Sequence, residues 1–485
     1  MPLLGQNMFF GDTLQVQGNR WSEPLPGANG RKNRWWAVEG IGGASHWGYE
    51  KLRPYFEKIE NAVAHSKSEW RGHKANPPSH RSALRHGHFT YPFPNLRDSI
   101  EKAVQKLGLR FEKGINDPVA LAMGYFDLDT AIDKRGKRIS TFSTYLNKTV
   151  ALQRRDRLTV CTGAVASRLD ADAQTGLVSG VHIRCSDGST GEFFVVARRE
   201  VIICSSAACT PQLLLLSGVG PRRSSEKFGI PVIKELPAVS VSATLSDHYS
   251  IETIHILETI WGLLDVSSMS NTVSIRAGVI DKGTMRVKNH DEEGRDNLDA
   301  SLSHNVPDLE VMSMPSISIE RPVKGHSFMS IYPTLVQLHG SGRVELAITD
   351  SLNQPRITYP LFTDKRDVVT ARLAIHFAMR LADELLQSDY PYPAKLAFAP
   401  GRDPSVLEEW EKAAPTEYLS VPVASSIPDT RNIQTTVIDE EIDVYMRRVI
   451  HTSLHFSGTC LLSNDEKSGV VDQELRAHDS SNLDP

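Results

Sequence analysis

The sequence predicts an α/β fold, on three observations. Residues 200–204 (EVIIC) are a short, nearly all-apolar run, as a strand buried on both faces of a parallel sheet requires. Five small residues and then a leucine-rich helical run follow at once, giving a strand–turn–helix unit. Residues 367–386 make a long amphipathic helix, with Val368, Ala371, Leu373, Phe377, Met379 and Leu381 among its apolar positions.

Composition sets the outer bounds. The chain has 485 residues, 40% hydrophobic and 23% charged, enough for a sizeable core and two or three domains. Lys and Arg number 54 against 58 Asp and Glu, a net charge of −4 that leaves no electrostatic footprint of a nucleic-acid binder. No apolar run reaches the roughly 18 residues of a membrane helix. Cys161, Cys185, Cys204, Cys209 and Cys460 form no CxxC pair, which suits reduced thiols in a reducing compartment. The opening MPLLGQNMFF lacks a basic n-region and a long apolar h-region. The expectation is therefore no secretory signal, with the cytoplasm as the default location.

The other elements follow in chain order. Residues 49–61 read as a helix, with Leu52, Tyr55, Phe56 and Ile59 at helical spacing. Residues 62–94 read as a polar loop; the spacing of His73, His80, His86 and His88 matches no metal-ligand set, and no metal is expected. Residues 94–107 read as a helix capped near Asn95. Residues 157–161, 178–185 and 192–197 are β-like, and Asp187-Gly188 supplies a hairpin turn between the last two. Residues 286–309 read as an exposed charged loop. Residues 327–338 and 343–347 read as strands joined by His339-Gly340-Ser341-Gly342. Residues 399–433 read as loop-rich, with a short helix near 404–412.

The most informative segment is 205–220, SSAACTPQLLLLSGVG. Its small residues let a ligand or another backbone approach the end of the preceding strand. Thr210 reads as an N-cap with Pro211 at the first helical position, where a missing N–H costs nothing. Gly218 reads as the left-handed residue that ends the helix. On the residues alone, two readings stand: a helix N-terminus for an anionic cofactor group, or a plain turn in a parallel sheet.

This segment resembles the second signature of the glucose–methanol–choline (GMC) oxidoreductases: a small pair, Ser/Thr-Pro, an aliphatic run, then Ser-Gly-aliphatic-Gly. Ser206 stands where glycine is more usual. Further blocks agree in order. They are Asn29-Gly30-Arg31, His46-Trp47-Gly48-Tyr49, Gly136-Lys137-Arg138 with Tyr145-Leu146, and Asp247-His248-Tyr249. Ser341-Gly342-Arg343-Val344, His455-Phe456-Ser457-Gly458-Thr459-Cys460 and Gly469-Val470-Val471-Asp472 complete them.

The resemblance implies a Rossmann-like FAD-binding domain joined to an antiparallel-sheet substrate domain. The implied division is 1–245 for the cofactor region, 246–430 for the substrate domain and 431–485 for the return to the cofactor domain. It implies an FAD-dependent dehydrogenase or oxidase of a small alcohol, with the electron acceptor undefined and a role in secondary-metabolite biosynthesis. Hydride would pass to flavin N5 while His455, at the family's catalytic position, takes the hydroxyl proton. Val165 falls where the family contacts the adenine end of FAD through its backbone. Cys460 reads as a buried thiol, and His451 as a residue able to share a helix face with His455. The family's opening βαβ unit with GxGxxG has no counterpart, since Gly40-Ile41-Gly42-Gly43-Ala44-Ser45 only imitates it. The family's final segment, with a second catalytic His or Asn, also has none, so the Rossmann-like domain is expected to be incomplete. Two other functions fit those departures: a non-redox cyclase or dehydratase on the same scaffold, or a non-catalytic remnant.

Overall fold

The computed structural model describes residues 51, 54–55, 60–63, 84–87, 94–112, 123–127, 139–239, 245–251, 253–257, 271–287, 307–314, 327–388, 394–401, 436–478 and 483–484. The elements that place the site are, in chain order, α1 (Pro94–Lys106) and β1 (Gly124–Asp127). Then come β2 (Ala164–Ala171), β3 (Val178–Cys185), β4 (Glu192–Val196), β5 (Val201–Ile202) and α2 (Ser206–Leu216). They are followed by β6 (Tyr249–Ser250), β7 (Thr253–Leu257), β8 (Asn271–Ile275), β9 (Leu309–Met314) and β10 (Ser327–Leu335). The last are β11 (Arg343–Glu345), β12 (Arg356–Thr358), α3 (Lys365–Leu386), β13 (Ala394–Phe398), α4 (Asp439–Val449), β14 (His451–Thr452) and β15 (Leu483–Asp484).

A largely antiparallel sheet runs β13-β7-β10-β9-β8-β1, and β6 bridges β10 to β14. Strand alternation gives the sheet two different faces. Val273, Ile275, Leu309, Val311, Ile331 and Leu335 share one face through their registers. They pack with α1, α3 and α4 into one apolar core. Thr272, Ser274, Glu310, Tyr332 and Thr334 share the other face, and all are buried. A sheet with one greasy face and one buried polar face needs polar company on the second side.

α3 meets the core with Ala371, Ile375, Phe377, Ala378 and Leu381, the 3–4 spacing of an inward helix face. Asp364 caps it by accepting from the Arg366 N–H at 2.8 Å. Buried Asp367 accepts from the His339 N–H (2.9 Å) and the Gly340 N–H (3.0 Å), fixing the loop after β10. Arg372 grips both oxygens of Asp443 on α4 at 2.7 and 2.6 Å. That fork ties α3 to the helix leading into the segment of His455.

A second core joins α2, strands β2 and β3 of the β2-β3-β4 antiparallel meander and the segment around Val470 and Val471, while β4 lies exposed at the meander's edge. The Leu169 N–H donates to Ser217 Oγ at 2.8 Å, pinning β2 to the end of α2.

Several expectations need correction. The segment 157–161 is turn and coil, and strand begins only at Ala164, after Gly163 with φ 68°. The run 200–204 yields just two strand residues, paired in parallel with β15, and Ile202 is 64% exposed rather than buried on both faces. α1 starts at Pro94, so Asn95 lies inside it rather than capping it. Lys51, Pro54 and Tyr55 are helical, but Glu60–Val63 is a strand, so that helix stops short of residue 61. The strands at 327–335 and 343–345 are joined by the glycine loop yet sit in different sheets. The 404–412 helix, most of the 286–309 loop and residues 29–48 lie outside the described residues, as do His73, His80 and His88.

Candidate active site

α2 begins at Ser206, five residues before Pro211, so Thr210 is not its cap. The small residues continue the helix backward instead of ending the turn. Pro211 then sits in the helix interior, where it cannot donate to the carbonyl of Ala207, four residues earlier. The Thr459 hydroxyl donates to that carbonyl at 2.8 Å. The carbonyl freed by the proline thus becomes the anchor for the segment carrying His455. Thr459 is buried, and losing its hydroxyl leaves the part-buried Ala207 carbonyl without this donor, a cost of about 1 kcal/mol. Gly218 ends the helix with φ 73°, as expected, and a Cβ there would meet the Pro231 carbonyl oxygen at 2.0 Å.

At the start of α2, Ser205 makes no side-chain capping bond and Ser206 has φ 70°. First-turn amides without a side-chain cap, flanked by Ala207 and Ala208, fit an anionic or polar part of a cofactor. The start of α2 would suit one part of an FAD cradle. The glycine-rich segment 40–45 lies outside the described residues.

His455 reaches its place through strand pairing. β6 pairs with β14, Tyr249 opposite Thr452 and Ser250 opposite His451. Ser246 and Ser457 exchange backbone hydrogen bonds, each 3.0 Å. Asp247, 1% exposed, sits at the hub. Its Oδ1 accepts from the His455 N–H (2.9 Å) and the His248 N–H (2.8 Å), and its Oδ2 from the Thr452 hydroxyl. Thr452 Oγ1 in turn accepts from the Leu454 N–H at 2.8 Å. Leu454 has φ 59°, a left-handed turn that these bonds hold in place.

The two imidazoles meet. His455 Nδ1 and His248 Nδ1 are 3.0 Å apart, with ring planes crossed at 83°. Burial pushes His455 down to about 4, partly offset by the charge of Glu310, so the ring is neutral at pH 7. Burial pushes Asp247 up to about 6, against the three bonds that favour its carboxylate. His451 keeps accessible surface yet is enclosed by protein, and that enclosure lowers its pKa. It stands edge-on to Tyr332, 6.3 Å between ring centroids. The buried polar sheet face continues the site: Thr272 donates to Glu310 at 2.8 Å, and Ser250 Oγ lies 2.7 Å from Thr334 Oγ1 and 2.8 Å from Ser453 Oγ.

His451 does not share a helix face with His455, because it belongs to β14 and an irregular turn separates the two. Val165 lies on β2 opposite Arg184, in the meander against α2, and none of the described contacts of the His455 cluster involves it. Cys460 is half-buried against the second core. Sequence reasoning missed Asp247 as the hub, His248 as the partner of His455, and Glu310. The available signal was the polar alternation of NTVSI and LEVMSM.

Known proteins place this geometry. A family model described as GMC oxidoreductase matches residues 27–250, and a second of the same description matches 339–484. A dehydrogenase, str4, of Strobilurus tenacellus is 24% identical over 477 residues, covering 91% of this chain and 71% of its own length. An oxygen-dependent choline dehydrogenase of Pseudomonas fluorescens (strain SBW25) is 26% identical over 364 residues, 74% of this chain, and the chain spans only 56% of that relative. Among solved structures, a formate oxidase superposes with TM-score 0.69 at 19% identity, covering 94% of this chain and 76% of its own. Pyridoxine 4-oxidase from Mesorbium loti gives 0.65 at 19% identity, covering 94% and 75%. The β2-β3-β4 meander, the proline-bearing helix and the His455 segment fall within the two family-model matches, and the chain belongs to the GMC family of FAD-dependent oxidoreductases.

Proposed function

We propose that this chain oxidises the CH–OH group of a small alcohol with FAD as cofactor, His455 acting as the base. The observation that carries the reading is a largely enclosed histidine, its backbone N–H held by Asp247 and its ring against His248, with Glu310 of the buried polar sheet face in electrostatic reach. When bound, FAD supplies the hydride acceptor. The amides at the start of α2 would hold part of it, with the backbone at Val165 a further contact toward its adenine end. Glu310, Thr272 and Ser250 line the side on which a polar substrate would be oriented. His455 takes the hydroxyl proton, and its low pKa keeps it ready to do so. A role in secondary metabolism extends the proposal; the match to a dehydrogenase of Strobilurus tenacellus supports its redox part.

The test is product analysis on a panel of small alcohols, with and without an added electron acceptor. The reading requires an aldehyde, ketone or acid, formed in step with acceptor reduction. Product of unchanged oxidation level, formed without any acceptor, would replace it with the cyclase or dehydratase reading.

The pH dependence is a second expectation. Only neutral His455 can accept the proton, so kcat/KM should hold level from pH 8 down to about 5. It should then fall as the ring protonates near 4. An unshifted histidine would instead give an inflection near about 6.5. Initial rates across this range, with folding checked at each pH by circular dichroism, decide between them.

A further inference from the structure

We propose that His248 is a positioning residue that sets the tautomer of His455, leaving Nε2 as the nitrogen that meets substrate. The inference rests on the reading of His455 as the base. Its own evidence is the 3.0 Å contact between the two Nδ1 atoms.

Such a contact holds one proton. Two Nδ1 lone pairs at that distance repel, and two N–H groups collide, so one ring must be the donor and the other the acceptor. If His455 donates, its Nδ1 carries the hydrogen and its Nε2 presents a lone pair, the form a base needs. If His248 donates, His455 carries its hydrogen on Nε2 and is an acid toward substrate. The environment must therefore choose, and the backbone geometry keeps the choice in place. Asp247 Oδ1 accepts from the backbone N–H of both histidines, at 2.9 and 2.8 Å. The Ser453 N–H donates to the His248 carbonyl at 2.9 Å. These bonds fix the two stretches of backbone from which the rings extend toward each other. A histidine's second nitrogen commonly decides its tautomer through its partner, most often a carboxylate or carbonyl. Here that partner is a second imidazole.

The proton count closes. The substrate O–H bond breaks, and its proton adds to Nε2 of His455. The positive charge so formed is held by the Nδ1–H of His455 donating to Nδ1 of His248. The pair gains one proton and one charge, and no other group is required to ionise. Among the described residues, titratable groups near the pair include Asp247 under both backbones and Glu310 on β9. Tyr249 and Tyr359 lie within electrostatic reach of Asp247.

The first readout needs no turnover. Long-range ¹H–¹⁵N spectra of ¹⁵N-histidine-labelled protein at pH 7, with His455→Gln used for assignment, should show His455 protonated at Nδ1 and bare at Nε2. His248→Leu should shift His455 toward protonation at Nε2. His248→Asn keeps an acceptor oxygen near the old Nδ1 position and should restore the native pattern. The second readout is kinetic. His248→Leu should lower kcat by about 10–100-fold with KM within twofold, and His248→Asn should recover most of it. Melting curves of both variants establish that they fold. A native His455 protonated at Nε2, or a folded His248→Leu with unchanged tautomer and kcat, would overturn the assignment. A chain with the expected tautomer but no alcohol turnover would instead remove the functional reading, so the two failures are distinct.

Discussion

Replacing His455 by alanine is expected to lower kcat for alcohol oxidation by about 10²–10⁴-fold, the usual worth of a positioned general base. KM should change little, because a general base acts on the proton in the transition state more than on the binding of the alcohol. The backbone N–H of residue 455 would still donate to Asp247, so the fold should survive the change. The flavin spectrum of the variant should match that of the parent protein. Steady-state kinetics on the best alcohol, with the spectrum recorded beside them, give the answer. A folded, flavin-loaded variant with parental kcat would remove His455 from the chemistry.

Replacing Asp247 by alanine should have the largest effect on stability. Its carboxylate satisfies two backbone N–H groups and one hydroxyl in a buried place. Leaving buried donors bare costs about 1–3 kcal/mol each, so the loss should reach several kcal/mol and activity should go with it. Asparagine keeps one acceptor oxygen and should be milder, with a pH signature of its own. Asp247 is raised from 3.8 to about 6 by burial. A raised carboxylate contributes stability that is fully present below about pH 4 and lost as pH rises through 6. Asparagine cannot ionise and does not incur that loss. The deficit of Asp247→Asn relative to the parent should therefore shrink by about 2–3 kcal/mol between pH 4 and pH 8. His455 is common to both proteins, so its own titration largely cancels in the difference. Melts of the two proteins at pH 4, 6 and 8 measure this. A deficit that grows with pH would mean that the three hydrogen bonds, not burial, govern the carboxylate.

Much of the site was readable, and the failures have physical causes. His455 and the small-residue helix were singled out because a contiguous pattern carries them. Asp247-His248 was visible as a pattern, but its bond to His455 spans 208 positions and is made by a strand pairing of only two residues. Two-residue strands have no period to detect. The polar sheet face was missed for a related reason. Thr272, Ser274 and Glu310 alternate with valine, isoleucine and leucine, which ordinarily marks a solvated face, whereas here both faces are buried. The helix start was misplaced because Thr-Pro is a good entry signal, and the hydroxyl of Thr459, 252 positions from the Ala207 carbonyl it serves, makes up for the interior proline's missing donor. The strand at 200–204 was overestimated because an apolar run reports burial in general. Of it, Ile203 is buried in the second core while Ile202 faces outward.

The central claim is that this chain holds FAD beside His455 and uses it on alcohols. The most direct measurement is the visible absorption spectrum of the purified protein, with and without added FAD, before and after anaerobic addition of an alcohol. The account predicts flavin bands that stay with the protein through gel filtration and bleach when an alcohol substrate is added. A protein that shows no bands, acquires none from added FAD and bleaches with no alcohol would contradict it.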